Sequence, residues 1–211
     1  MIKAVIFDMD GVLIDAKDWH YEALNRALRL FGCEISRYDH LATFDGLPTK
    51  EKLSLLSKER HLPEKLHSFI NEMKQRYTME IIATQCKPKF NHQYALAKLR
   101  SKGYRMAVAS NSIRSTVETM MARAELLEYF EFLISNQDVK YPKPDPSMYN
   151  LAIEKMGLRA DECLIVEDNE NGIRAAHASN AHVLEVKDVN DVTWAKINNK
   201  IIACNLENSA D

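Results

Sequence analysis

Short apolar, β-prone runs at about 106–109, 132–135, 163–166 and 182–186 alternate with helical patterns at about 115–126, 147–156 and 171–179. Regular strand–helix alternation predicts a doubly wound, Rossmann-like parallel sheet with helices on both faces, an α/β fold. One more strand stands apart from this series. Ala4-Val5-Ile6-Phe7 is an unbroken apolar run, as expected of a strand buried on both faces. About ninety residues separate it from Met106, and nearly all of them carry helical patterns. Trp19, Ala23, Ala27, Leu28 and Phe31 recur at helical spacing, which reads Trp19 as a core position, and Gly32 closes the run. Lys50 to Lys58 and Pro63 to Tyr77 are amphipathic, and His92 to Lys102 is a further helix that ends at Gly103. The expected organisation is an α/β core domain at 1–15 and 86–211, with a small α-helical cap domain at 16–85 inserted after the first strand. From Asn190 onward, Val192, Trp194 and Ile197 suit one packing helix that frays by Asn205.

The first strand runs into Asp8-Met9-Asp10-Gly11, where Gly11 makes the chain turn. Asp8 and Asp10 therefore sit at the carboxyl end of a strand, the edge at which open α/β sheets bind their ligands. Two acids this close repel when both are ionised, so they recruit a divalent cation or keep one of the pair protonated. Either outcome suits phosphoryl transfer. The plainer reading is an Asp/Gly turn with solvated carboxylates.

Three later segments repeat the theme of polar groups after apolar runs. Met106 to Ala109 leads into Ser110-Asn111-Ser112, and Leu164-Ile165-Val166 leads into Glu167-Asp168-Asn169 with Gly172 beyond. Lys143-Pro144-Asp145-Pro146 precedes a helical pattern. Singly, each has an ordinary explanation. Ser110 and Asn111 can start a turn and cap the helix beginning near Ser115. Lys143 can be an exposed loop lysine, and Glu167 with Asp168 a helix-start acid pair. Taken together and in order, FDMDGVLID, SNS, KPDP and EDN resemble the four signatures of the haloacid dehalogenase superfamily. The resemblance is to its phosphatases and sugar-phosphate mutases with a small helical cap, and it spans roughly residues 4 to 186. Asn169 stands where this subgroup often has Ser.

That resemblance implies a set of roles. Asp8 is the nucleophile that becomes an aspartyl-phosphate. Asp10 protonates the leaving oxygen and later takes a proton from the attacking water, so it must titrate near working pH. Mg²⁺ is the implied cofactor, held by the Asp8 and Asp168 carboxylates and the Asp10 backbone carbonyl, with Glu167 or Asn169 holding Asp168 or a metal-bound water. Lys143 supplies a positive charge to Asp8 and the phosphoryl group. Ser110, with neighbouring amides and Asn111, binds phosphoryl oxygens. The second acid, Asp10, argues for phosphate esters over carbon–halogen bonds, whose cleavage needs no protonated alkoxide.

Substrate contacts are expected from the cap, at His20, Thr49, Lys50, Lys74 and Arg76, with Gly46 and Pro48 as a hinge or turn. Lys50 to Arg76 holds seven Lys or Arg against four Glu, a local excess that attracts anions, or else an ordinary solvated face. His20 can equally be a packed or exposed helix residue.

The whole chain of 211 residues has a formal charge of −2, with basic and acidic residues interspersed, which gives no electrostatic reason to expect a nucleic-acid partner. No apolar stretch approaches the roughly 20 residues needed to span a bilayer, and the start of the chain does not read as a signal peptide. Cys33, Cys86, Cys163 and Cys204 are far apart, so a reducing cytoplasm is expected, with no zinc site or disulfide framework. The expected protein is a cytoplasmic monomer acting on a small phosphorylated metabolite. Its leading reading is an Mg²⁺-dependent phosphatase, its alternative a β-phosphoglucomutase-like mutase, and its third a non-catalytic binding domain.

Overall fold

The computed structural model describes residues 1–44 and 47–207, so Gly46 lies outside the described residues. The chain forms two compact units, one of residues 1–15 and 87–211 and one of residues 16–86. Cys86, assigned to the α/β domain by the sequence pattern, belongs to the helical unit.

The α/β unit is built on a five-stranded parallel sheet of order β3-β2-β1-β4-β5. Its strands are β1 (Ala4–Phe7), β2 (Arg105–Ala109), β3 (Phe132–Ile134), β4 (Cys163–Glu167) and β5 (His182–Glu185). All four residues of β1 and all five of β4 are buried, which is why these strands read as continuous apolar runs instead of alternating. Ala4 pairs with both Arg105 and Cys163, and Phe7 with both Val108 and Val166, so β1 lies at the centre of the sheet. One face carries Ala4, Ile6, Ala107, Ala109, Cys163 and Ile165, packed with Met148, Tyr149, Ala152 and Ala175. Those partners come from α7 (Ser147–Lys155) and α8 (Glu170–Ala178). Residues of alternate parity, such as Val5, Phe7, Val108 and Val166, face the other side, where α5 (Phe90–Ser101) packs on β2 and α6 (Arg114–Arg123) on β3. The last helix, α9 (Trp194–Glu207), packs on α5 and β5 and runs two residues past the expected fraying point.

The helical unit contains α1 (Lys17–Arg29), the single turn α2 (Arg37–Asp39), α3 (Thr49–Arg60) and α4 (His67–Gln85). Its core is a cluster of Leu24, Ala27, Leu28, Phe44, Leu53, Leu56 and Ile70. Trp19 is only partly buried and lies outside that cluster, contrary to its spacing with Ala23. Helix α1 stops at Arg29, so Phe31 lies in the turn that Gly32 completes at φ 65° and is exposed instead of joining the apolar face. Buried among the apolar residues is Asn25, whose amide exchanges two hydrogen bonds with the Ile35 backbone, at 2.8 and 2.9 Å, and so ties the loop to α1.

Candidate active site

Every polar segment singled out in the α/β unit falls at the carboxyl edge of the sheet. Asp8 follows β1 directly, and its amide still bonds the Val166 carbonyl at 3.0 Å, so strand pairing fixes its backbone. The loop then closes on itself. Leu13 and Ile14 both donate to the Met9 carbonyl at 2.9 Å, and Gly11 donates to Ile14 at 2.7 Å. Gly11 takes φ 97°, a conformation that side chains with a Cβ adopt only with strain, and this is the physical reason for a glycine after the second acid.

Lys143 is the hub. It is 3% exposed, and its Nζ donates to Asp8 Oδ1 at 2.6 Å, Glu167 Oε1 at 2.6 Å and the Ala109 carbonyl at 2.8 Å, satisfying all three ammonium donors. Lys143 is thus no solvated loop lysine. Burial disfavours its charge, but the carboxylates of Asp8 and Glu167 outweigh that and hold its pKa above the usual lysine value. Asp8 is pushed well above the ordinary carboxylate range, chiefly by burial and then by Glu167, with Asp168 and Asp10 adding and only Lys143 opposing. One ammonium among so many acids leaves an excess of negative charge.

Glu167, the last residue of β4, is almost fully engaged. Oε1 accepts from Lys143 and from the Tyr149 hydroxyl at 2.5 Å, and Oε2 from the amides of Asp168 at 3.0 Å and Asn169 at 3.4 Å. Its contacts make it the anchor of Lys143, although its carboxylate also lies with those of Asp8 and Asp168, ligand atoms within 4.8 Å of one another. Gly172 is required by the same carboxylate, because a Cβ there would overlap it. Both Asp168 oxygens are shut off from solvent. Three hard oxygen donors on a strand end suit Mg²⁺ better than a softer ion.

Ser110 is fully buried and Ser112 partly so, and both hydroxyls donate to Asp10 Oδ2, Ser112 at 2.9 Å and Ser110 at 3.4 Å. The Ser112 amide in turn donates to Ser110 Oγ at 3.1 Å. Asn111 pairs with the backbone of Lys143, its amide donating to the carbonyl at 3.2 Å and accepting from the N–H at 3.0 Å. Both bonds position the loop that carries Lys143. Neither Ser110 nor Asn111 caps a helix, since α6 begins after Ile113, and the Arg114 amide donates to the Gln137 side chain at 2.9 Å. Glu167 and Asp168 are not a helix-start pair either. Asn169 is the N-cap of α8, accepting from the Asn171 amide at 3.0 Å. Ser112 and Tyr149 were not singled out as site residues. SNS already offered a second hydroxyl, and Tyr149 follows Lys143 by six positions in an apolar helix pattern that reads as core.

In the helical unit, His20 on α1 and the buried Lys74 on α4 meet, with Nδ1 and Nζ 3.4 Å apart. Arg76 is two positions beyond Lys74, about 200° round the helix, and is exposed. Thr49 and Lys50 open α3, Thr49 half-buried and Lys50 exposed, whereas Lys52, not anticipated, is buried. The structure therefore joins His20 with Lys74, and does not join Arg76 to them.

The haloacid dehalogenase-like hydrolase family matches the chain over residues 5–186. The chain belongs to this family. A phosphorylated carbohydrates phosphatase of Thermotoga maritima is 29% identical over 181 residues, covering 84% of this chain and 82% of that protein. A phosphoglycolate phosphatase of Photorhabdus laumondii is 28% identical over 180 residues, covering 84% and 77%. In fold, the chain resembles crystal structures of β-phosphoglucomutase from Clostridium difficile (TM-score 0.81, 21% identity, 95% and 97% covered) and of CbbY from Rhodobacter sphaeroides (TM-score 0.79, 22%, 88% and 86%). Within its family the chain is an enzyme of the phosphoric monoester hydrolase class.

Proposed function

We propose that this chain is an Mg²⁺-dependent phosphatase that hydrolyses a small phosphorylated metabolite, such as a sugar phosphate, through an aspartyl-phosphate on Asp8. The observation that carries this reading is Lys143 bridging Asp8 and Glu167 beside Asp168 at the carboxyl edge of the sheet. Asp8 and Asp168, with the Asp10 carbonyl, are the residues that would hold Mg²⁺. Bound there, the ion would neutralise the dianionic ester and keep Asp8 ionised for attack.

The Asp8 carboxylate attacks phosphorus in line with the leaving oxygen, and Lys143 steadies its orientation and the phosphoryl charge. Asp10 delivers a proton to the leaving alkoxide, then takes one from the water that cleaves the acyl phosphate. Ser112 and Ser110 both donate to Asp10 Oδ2 and so orient the carboxyl for that transfer. His20 and Lys74 are the proposed specificity contacts of the helical unit, with Thr49, Lys50 and Arg76 as further candidates. The enzyme is proposed to act as a cytoplasmic monomer. Four free cysteines support a reducing compartment, and among the described residues no helix is long and apolar enough to cross a membrane.

A mutase is the second reading, favoured by the His20–Lys74 pair as a second cationic position for a substrate bearing two phosphoryl groups. The test is phosphate release from a panel of phosphorylated metabolites, with and without Mg²⁺, for wild type and Asp8→Asn. Metal-dependent release that the variant loses is expected. Release undiminished in Asp8→Asn would remove the nucleophile assignment. Turnover of glucose 1-phosphate only with a bisphosphate primer would favour the mutase.

A further inference from the structure

A second group of metal-capable side chains lies at the other end of the sheet. His182 is the first residue of β5 and pairs with Leu164, whereas Glu167, at the active edge, pairs with the last residue of β5, Glu185. Cys204 and Glu207 sit three positions apart on α9, hence on one face of that helix, which packs against β5. One ligand atom from each of His182, Cys204 and Glu207 lies within 4.8 Å of the other two.

We propose that His182, Cys204 and Glu207 form a site for a borderline-soft divalent metal ion of the zinc type, separate from the catalytic carboxylates. Three observations support it. The donor set is one imidazole nitrogen, one thiol sulfur and one carboxylate oxygen, the mixture that zinc accepts and Mg²⁺ does not. In tetrahedral zinc, bond lengths of about 2.0–2.3 Å place neighbouring ligand atoms about 3.4–3.6 Å apart, so the group needs to contract by no more than about 1.4 Å. The exposed Glu207 and half-exposed His182 can supply that movement, while Cys204 is fixed in the core.

Charge and access point the same way. A thiolate and a carboxylate with a neutral imidazole would cancel a +2 ion, and a water can complete the tetrahedron. Binding exchanges the Cys204 thiol proton for the metal, forming the S–metal bond and releasing H⁺ to solvent. Entry is open through Glu207 and His182. The ion would join the final helix to the edge strand β5, a structural staple that absorbs the one buried thiol of α9.

The test uses the full chain, freed of metal with a chelator and titrated with Co²⁺. Coordination by Cys204 gives a near-ultraviolet thiolate-to-cobalt charge-transfer band, which the carboxylates around Asp8 cannot produce. One equivalent, displaced by Zn²⁺, is expected. Asp168→Asn should leave the band unchanged, separating this site from the catalytic one, and Cys204→Ala should abolish it. Glu207→Gln, at an exposed helix end where the fold is safe, should weaken Co²⁺ binding by at least about tenfold. Absence of the band in wild type, its persistence in Cys204→Ala, or equal affinity in wild type and Glu207→Gln would overturn the proposal.

Discussion

The two units of the chain set their charged groups in different surroundings. At the edge of the sheet, Lys143, Glu167 and Asn111 each make several hydrogen bonds. Lys143 meets three acceptors, Glu167 accepts from four donors, and Asn111 clamps the Lys143 backbone at both ends. In the helical unit Lys74 approaches His20 at 3.4 Å, and the cations Lys50 and Arg76 are exposed. The roles proposed for the two units divide along the same line. Chemistry that needs groups fixed to a fraction of an ångström belongs to strand ends, where backbone pairing sets position. Recognition of a variable substrate, the role proposed for the helical unit, suits helix side chains that can be exchanged one at a time.

If that division is right, changes in the α/β unit should act on kcat and changes in the helical unit on KM. The largest effect is expected for Asp8→Asn, with turnover lower by more than about a thousandfold. Its fold should be unharmed and its thermal stability unchanged or higher, because burial already disfavours the Asp8 charge. A comparable kcat loss with a collapsed melting temperature would make Asp8 a structural residue instead. Asp10→Asn comes next, at about 10²- to 10⁴-fold for poor leaving groups. For an ester with an acidic leaving group the loss should shrink, and an equal loss across leaving groups would remove Asp10 from proton transfer. Gly172→Ala touches no reacting atom, yet its Cβ would displace the Glu167 carboxylate and through it Lys143. Overpacking there should cost about 1–3 kcal/mol in stability and lower kcat with little change in KM. Wild-type kinetics in that variant would show that Glu167 need not be where it is.

How much of this was legible in one sequence follows the same division. All five strands were visible as short β-prone runs, unbroken and apolar where the strand is buried throughout, as in β1 and β4, and the ends of β1, β2 and β4 placed Asp8, Ser110 and Glu167 at one edge. The limits of α6 were missed by one to three residues because Ala124 and Leu126 are buried and continue the apolar pattern past the last helical turn. Partner identity was not legible. Nothing in SNS says that Asn111 bonds the backbone of Lys143, 32 positions away, or that Ser112 is nearer to Asp10 than Ser110 is. Glu167 and Asp168 are adjacent acids in the sequence, and nothing there says that the first accepts from Lys143 and Tyr149 while both carboxylates gather beside Asp8. In the helical unit, Lys50 and Lys52 look alike in the sequence, and the helix turns one out to solvent and the other in. A tryptophan at helical spacing was likewise read as core and is not.

A smaller effect is expected from the helical unit. Lys74→Met keeps the length and packing of a buried side chain while removing its charge. Loss of one charge-assisted contact should raise KM for the best substrate by about tenfold, with kcat within a factor of about two. A kcat defect larger than the KM defect would break the division of labour, since it would place Lys74 in the chemical step.

The smallest effect concerns how the active loop is held to the rest of its unit. His92, on α5, is 1% exposed, with its Nε2 2.7 Å from the Val189 carbonyl and its ring also hydrogen-bonded to the backbone of Leu13, in the loop that carries Asp8 and Asp10. Burial pulls its pKa below the ordinary 6.5, and Lys89 adds to this, outweighing the two backbone contacts that favour the charged ring. The folded state therefore binds fewer protons than the unfolded chain between the depressed value and 6.5. Stability contributed by neutral His92 is fully present above the unfolded value, and it is lost as pH falls below 6.5 toward the folded one, by at most about 1.4 kcal/mol per pH unit. Denaturant melts from pH 8 down to 5.5 should show wild type losing stability faster than His92→Asn, which has no proton to refuse. Parallel curves would mean that His92 titrates alike in both states, and that the anchoring of the active loop is indifferent to acid.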